Sequence, residues 1–172
     1  MVALYAAVAL LAPSSADAVL RDAHARAGRE GKNVLVKFEA SWCQWCRRLN
    51  ALLKDDRFRS AFEASYVIAP ITVREREEKR ALENVGWESA MRRLRGAADR
   101  DVPYVAILSP KGEKLGDSYR PPQGEIPGNA GYPRTPEEID AFVGLIRRTG
   151  RAFTAKDRVA LREHFLLERV EK

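Results

Sequence analysis

The chain has 172 residues, with 30 Lys and Arg against 24 Asp and Glu, a formal net charge of +6, 45% hydrophobic and 31% charged residues; this composition suits one compact domain, with or without appendages, and excludes a disordered chain. No apolar run approaches the ~20 residues that span a bilayer, so stable membrane insertion is excluded. Two cysteines are too few for a disulfide-stapled scaffold, and no fixed-period repeat points to a solenoid.

Residues 2–12 (VALYAAVALLA) form an uncharged run that Pro13, Ser14 and Ser15 break. The run has the length of the hydrophobic region of an export signal and is too short for a spanning helix. Ser14 with Ala16, or Ala16 with Ala18, satisfies the small-x-small rule. This predicts a signal peptide over 1–18, cut after Ala16 or Ala18, and a periplasmic or secreted product. No Lys or Arg precedes the run, and the alternative is a buried first helix in a cytoplasmic protein.

Residues 17–28 carry Val19, Leu20, Ala23 and Ala27 at helical spacing, with Gly28 and Gly31 punctuating the end. Residues 33–40 (NVLVKFEA) predict a strand covered on both faces, because Val34, Leu35, Val36 and Phe38 make a nearly continuous apolar run. The segment SWCQWC, from Ser41 to Cys46, leads into a helix through about Leu53. Residues 55–64 continue it or form a second short helix, with Phe58, Ala61 and Phe62 inward. Residues 66–73 (YVIAPITV) are a second strand, and Pro70 marks it as an edge or a bulge.

Residues 74–100 are charge-dense, with a helical stripe of Leu82, Val85, Ala90, Met91 and Leu94 interrupted at Gly86. Residues 102–108 (VPYVAIL) predict the third strand, 109–112 a turn and 113–119 the partner strand. Residues 120–133 hold four Pro and three Gly and predict a surface loop long enough to be a functional candidate. Thr135-Pro136-Glu137-Glu138 is a capping box with Pro at the first helical position. Ile139, Phe142, Val143 and Ile146 then bury one helix face, and Thr154 with Asp157 opens a last helix bearing Val159, Leu166 and Val170. The order predicts an α/β domain over 19–150, a central mixed β-sheet flanked by helices, with a C-terminal helical extension over 151–172.

The basic excess is densest at Arg147, Arg148, Arg151, Lys156, Arg158 and Arg162, where Asp157, Glu163 and Glu168 interleave with it. That pattern is a solvated helix face, and no aromatic–basic alternation suggests stacked bases, so no nucleic-acid partner is expected.

The chemistry lies at Cys43 and Cys46. An apolar strand, a turn with Cys-x-x-Cys and a helix put the first cysteine where the helix begins. Unpaired N–H groups and the positive end of the helix dipole stabilise a Cys43 thiolate there. Cys46, three residues on, shares the helix face and can close an S–S bond. Such a pair can attack a disulfide through Cys43 and resolve the mixed disulfide through Cys46. Two alternatives stand beside this. A structural disulfide closing so small a ring gains only about 2 kcal/mol of loop entropy. Half a zinc site needs two more ligands, but His24 lies 19 residues before Cys43 and His164 lies 118 after Cys46, which fits no zinc module. No metal and no cofactor is therefore expected.

The stretch VLVKFEASWCQWCRRL, from Val34 to Leu49, resembles the active-site strand and helix of the thioredoxin superfamily, and within it the exported bacterial thioredoxin-like proteins with a WCxWC motif. Val102-Pro103-Tyr104 resembles the family's cis-proline segment. The likeness covers about residues 17–149. It implies a thioredoxin-like fold and a thiol–disulfide oxidoreductase whose catalytic residues are Cys43 and Cys46. It also implies a cis Val102–Pro103 bond facing the dithiol, with Val102 and Pro103 in the substrate groove. The implied partners are protein disulfides or dithiols and an upstream dithiol electron donor. The competing expectation is a redox-inactive module of the same fold, chaperone-like, that holds a partner through residues 120–133 and the last helix.

Lys37 stands where thioredoxins often carry a buried Asp, six residues before the first Cys. Strand parity puts Glu39 on the same side. Lys37, paired with Glu39, is the candidate for lowering the dithiol pKa; the alternative is that Lys37 snorkels to the surface. Gln44 and Trp45 replace the family's Gly-Pro between the cysteines. Trp42 and Trp45 are candidates for an apolar docking rim; otherwise Trp42 packs on its own domain and Trp45 is merely exposed. His24 and His164 are expected at the surface.

Overall fold

The computed structural model describes residues 13–96, 101–123 and 126–170, with backbone alone at 120–123, 126–127 and 169–170. The apolar run at 2–12, on which the export signal rests, lies outside the described residues. The elements in order are α1 (Ala16–Glu30), β1 (Asn33–Glu39), α2 (Gln44–Lys54), α3 (Arg59–Ser65), β2 (Tyr66–Thr72), a 3₁₀ turn (Glu77–Leu82), α4 (Trp87–Arg95), β3 (Tyr104–Leu108), β4 (Lys114–Asp117), β5 (Tyr119–Gln123), β6 (Ile126–Asn129), α5 (Pro136–Thr149) and α6 (Ala155–Val170).

Four strands form one mixed sheet in the order β2-β1-β3-β4, with β1 parallel to β2 and antiparallel to β3. Val36 sits between Ala69 and Ala106 in register. Pro70 is tolerated because β2 is an edge strand and loses no ladder bond on its open side. Every residue of β1 from Asn33 to Phe38 is buried, which explains its unbroken apolar run.

The pleat sorts the core into two. Leu35, Val105 and Ile107 pack with Leu49 and Leu52 of α2, Phe62 of α3, Phe142 and Ile146 of α5 and Leu161 and Phe165 of α6. Val34, Val36, Phe38, Tyr104 and Ala106 pack on the other face with Ala23 and Ala27 of α1 and Ala90 and Met91 of α4. Each fully buried large side chain contributes about 1.5–3 kcal/mol of transfer free energy. Phe153, Leu161 and Phe165 stand in the first of these cores, so the segment beyond 150 is integral to the domain rather than an appendage.

Three sequence expectations change. The domain start expected at residue 19 falls inside α1: Ser15 caps that helix by accepting from Ala18 N at 3.2 Å, and buried Ala16 donates to Val85 O at 2.9 Å. Residues 120–133 are not simply a loop, because β5 and β6 pair as a two-stranded antiparallel ribbon. Leu82 and Val85 do not join the apolar stripe and are 52% and 73% exposed. Gly86, left-handed at φ 82°, starts α4 only after them. Both capping boxes form. Thr135 and Glu138 bond reciprocally, and Thr154 Oγ1 accepts from Asp157 N while Asp157 accepts from Thr154.

Candidate functional site

The end of β1 delivers the chain to Cys43, which is the N-cap of α2. Its Sγ accepts the backbone N–H of Cys46 at 3.1 Å. This is the anion-stabilising end of a helix, where free N–H groups point at the cap residue. Cys43 and Cys46 are joined as a disulfide, their Cα atoms 5.2 Å apart. The pair is buried, Cys43 at 3% exposure and Cys46 at 2%, in a small apolar cluster with Ala40, against which Trp45 and Val102 pack. The sulfurs therefore lie just beneath a rim of side chains.

Two loops from other parts of the chain shape this cluster. Val102–Pro103 is cis, and the Val102 carbonyl oxygen lies 3.4 Å from Cys43 Sγ. The Pro103 carbonyl accepts Asn129 Nδ2 at 2.8 Å. Gly131 approaches it so closely that a Cβ there would fall 1.7 Å from Pro103 O. On the other side, Glu75 is 7% exposed. One of its oxygens accepts Ser41 N and the other accepts the Ser41 hydroxyl, each at 2.6 Å. Trp42 donates its indole N–H to Arg74 O at 2.7 Å, and Arg74 holds a positive φ of 53° at this crossing.

The two tryptophans differ in exposure, and in the opposite sense to the alternative of a packed Trp42 beside an exposed Trp45. Trp42 is 41% exposed, tethered by its N–H but open on its ring. Trp45 is half-buried and packs against both the dithiol cluster and the main core, stacked on Tyr132 with centroids 5.9 Å apart.

Lys37 does not snorkel. It is 5% exposed, with Nζ 2.5 Å from Glu39 Oε2 and 2.5 Å from Asn50 Oδ1. Asn50 closes the triangle by donating Nδ2 to Glu39 at 2.8 Å. Burial pulls the Lys37 ammonium below the ordinary lysine range, and the hydrogen bond that it donates to Glu39 opposes this. Asn50 follows Cys46 by four residues on α2, so the triangle lies one helical turn along the same face as the inner sulfur.

The histidines are less peripheral than expected. His164 packs edge-on against Phe58 and Phe165, and its Nδ1 is 3.0 Å from Arg57 Nη2. His24 is half-buried beside Gly112. Sequence reasoning missed Asn50, Glu75, Gly131, Tyr132 and Glu168. Only Asn50 carried a sequence signal, its i+4 spacing from Cys46.

The family model described as Thioredoxin-like matches residues 16–110. No curated protein matches the chain. Among solved structures, a disulphide isomerase from Xylella fastidiosa Temecula1 is 22% identical, covering 63% of this chain and 80% of its own, with a TM-score of 0.48. The C-terminal domain of DsbD from Neisseria meningitidis, in the oxidised form, is 16% identical over 81% of this chain and 99% of its own, also with a TM-score of 0.48. A thioredoxin from Thermus thermophilus is 22% identical over 74% and 82%, with a TM-score of 0.44.

Proposed function

The chain belongs to the thioredoxin-like family, and from that membership and the geometry at the head of α2 we propose that it is a thiol–disulfide oxidoreductase. The observation that carries this is Cys43 at the N-cap of α2, its sulfur held by Cys46 N–H at 3.1 Å and bridged to Cys46. A four-residue ring gains little as a staple, so the pair is best understood as a redox couple.

In the reducing direction the Cys43 thiolate attacks one sulfur of a substrate disulfide. A Cys43–substrate bond forms, the substrate S–S bond breaks and the first substrate thiolate leaves. Cys46, losing its proton, then attacks Cys43 Sγ, which forms the Cys43–Cys46 bond and releases the second thiolate. Two electrons and two protons pass to the substrate. The reverse sequence oxidises a dithiol. The helix N-terminus stabilises Cys43 as attacking group and as leaving group alike.

Val102 and Pro103 form one wall of the substrate groove, with Trp42 and Trp45 on the rim. Lys37 and Glu39 tune the dithiol: the buried ammonium favours thiolate, and Glu39 holds it charged. Protein disulfides or dithiols are the substrates, and an upstream dithiol protein, membrane-associated if the site is periplasmic, returns the electrons. The run at 2–12 and the small residues after it support export to the periplasm or beyond.

The test is disulfide reduction in a model protein. Wild type turns over with a dithiol donor, Cys43→Ser is inactive, and Cys46→Ser accumulates a mixed disulfide through Cys43. A wild type that exchanges no disulfide, or a Cys43→Ser variant that still does, defeats the proposal.

A further inference from the structure

A cavity of about 180 Å³ opens beside Trp45, on the far side of that indole from the dithiol cluster it packs against. Trp45 and Arg48 of α2, Tyr132 and Arg134 of the segment before α5, and Phe165 and Glu168 of α6 line it. It is smaller than the about 300–1,000 Å³ of pockets that enclose whole small molecules, a size suited to one side chain. Trp45 is the wall it shares with the redox pair, since the same indole packs on the Cys43–Cys46 cluster and stacks on Tyr132. A chain that presents its cysteine to Cys43 thus meets Trp45 two residues along, with the cavity behind it.

The charge in the cavity has one sign to spare. Arg48 and Arg134 both hold their guanidinium over the Trp45 ring, 5.4 and 4.9 Å from its centroid. The one lining carboxylate, Glu168, is already engaged: it accepts the Tyr132 hydroxyl, pairs with Arg48 at 3.4 Å and faces His164 at 3.9 Å. Burial and Glu168 together push the Tyr132 phenol up, so it remains a donor. Among the described residues no carboxylate comes within ion-pair distance of the Arg134 guanidinium.

We propose that this cavity is a specificity subsite for the redox partner, taking an acidic side chain that flanks the partner's reactive cysteine. The proposal rests on the exchange reaction at Cys43 and names its substrate class. An arginine laid over an indole is pre-oriented and weakly hydrated, so it can pair a carboxylate with little further ordering. Complementary charge at this point speeds encounter and selects the partner more than it deepens affinity.

The test compares three disulfide-linked peptides that differ only in Glu, Phe or Lys flanking the cysteine. Reduction by the reduced full chain is followed at low salt and at about 0.5 M salt, where surface charge is screened. The Glu peptide is reduced about tenfold faster than the Lys peptide at low salt, a steering effect that shrinks at high salt. Arg134→Gln brings the ratio toward one and Arg134→Glu inverts it; continued reduction of the Lys peptide by that variant shows that it is folded. A Phe peptide faster than the Glu peptide, equal rates for Glu and Lys, or a ratio indifferent to Arg134 overturns the proposal. Matching peptides with Ser for Cys, titrated against Trp fluorescence, read the subsite without the chemistry. If no peptide is reduced, the exchange reaction itself fails, and binding of the Glu peptide in preference to the Lys peptide still decides the subsite.

Discussion

Glu75 grips Ser41 across 34 residues of chain, one carboxylate oxygen on the backbone N–H and the other on the hydroxyl, both at 2.6 Å. Ser41 opens the turn that carries Cys43 into the helix, so this nearly buried carboxylate fixes the approach to the dithiol. Hydrogen bonds to a charged acceptor contribute about 1.5–3 kcal/mol each, and the donors left behind add a desolvation cost. Glu75→Ala is expected to lower stability by about 2–4 kcal/mol in denaturant unfolding. Glu75→Gln, which keeps one acceptor oxygen, is expected to lose about half as much. An alanine variant as stable as wild type shows that Ser41 finds other partners.

The Lys37–Glu39–Asn50 triangle predicts a shift in the thiolate titration. Lys37→Met keeps the length of the side chain and removes the charge one turn from Cys46, while leaving the Glu39 carboxylate uncompensated. Both changes disfavour thiolate. The dithiol pKa followed by thiolate absorbance in the ultraviolet is expected to rise by about one unit, equivalent to about 1.4 kcal/mol. Because the reduced form is then less favoured, the reduction potential moves to a more negative value. Unchanged titration would mean that the triangle serves packing alone.

Gly131 against Pro103 predicts a steric lesion with a chemical readout. A methyl group at 131 meets the Pro103 carbonyl oxygen at 1.7 Å, so one of the two backbones must move. Overpacking of this kind costs about 1–3 kcal/mol. The Pro103 loop carries the Val102 carbonyl that faces Cys43. Gly131→Ala is therefore expected to slow exchange with a protein disulfide by about tenfold, the effect of a misplacement on the order of an ångström at a reacting centre being large. Exchange kinetics beside a melting curve check it: a variant that melts lower yet reacts at the wild-type rate removes Gly131 from the site's support.

What could be read in the sequence follows the range of the interactions. The strand before the motif, the two cysteines at a helix start and both capping boxes are local, and each is written within about ten residues. Lys37 with Glu39 was also legible, because strand parity is a period of two. Glu75 on Ser41, Gly131 on Pro103 and Glu168 on Tyr132 are contacts across 34, 28 and 36 residues, and no local pattern announces them. The β5–β6 ribbon was hidden by its prolines, which read as loop but are tolerated in a two-stranded ribbon whose outer edges need no ladder bond. The partial burial of Trp45 is illegible for a similar reason. Nothing near Trp45 in sequence shows that Tyr132 and α6 will cover it.

His164 predicts a pH dependence of stability. Burial against Phe58 and Phe165 lowers its pKa from the ordinary 6.5, with Glu168 opposing and Arg57 reinforcing the shift. Arg57 donates to Nδ1 at 3.0 Å, a bond that only the neutral imidazole can accept. Asp55 pairs with Arg57 and faces the ring from the α2–α3 side. A base whose folded pKa lies below its unfolded one leaves the unfolded chain binding more protons in the window between them. Stability is thus full above the unfolded value of about 6.5 and falls as pH drops through it toward the folded pKa. The melting temperature is expected to decline between about pH 7.5 and 5.5, and His164→Gln to flatten that decline, since glutamine keeps an acceptor for Arg57 without a titration. A slope in the glutamine variant equal to that of wild type would assign the dependence to other groups.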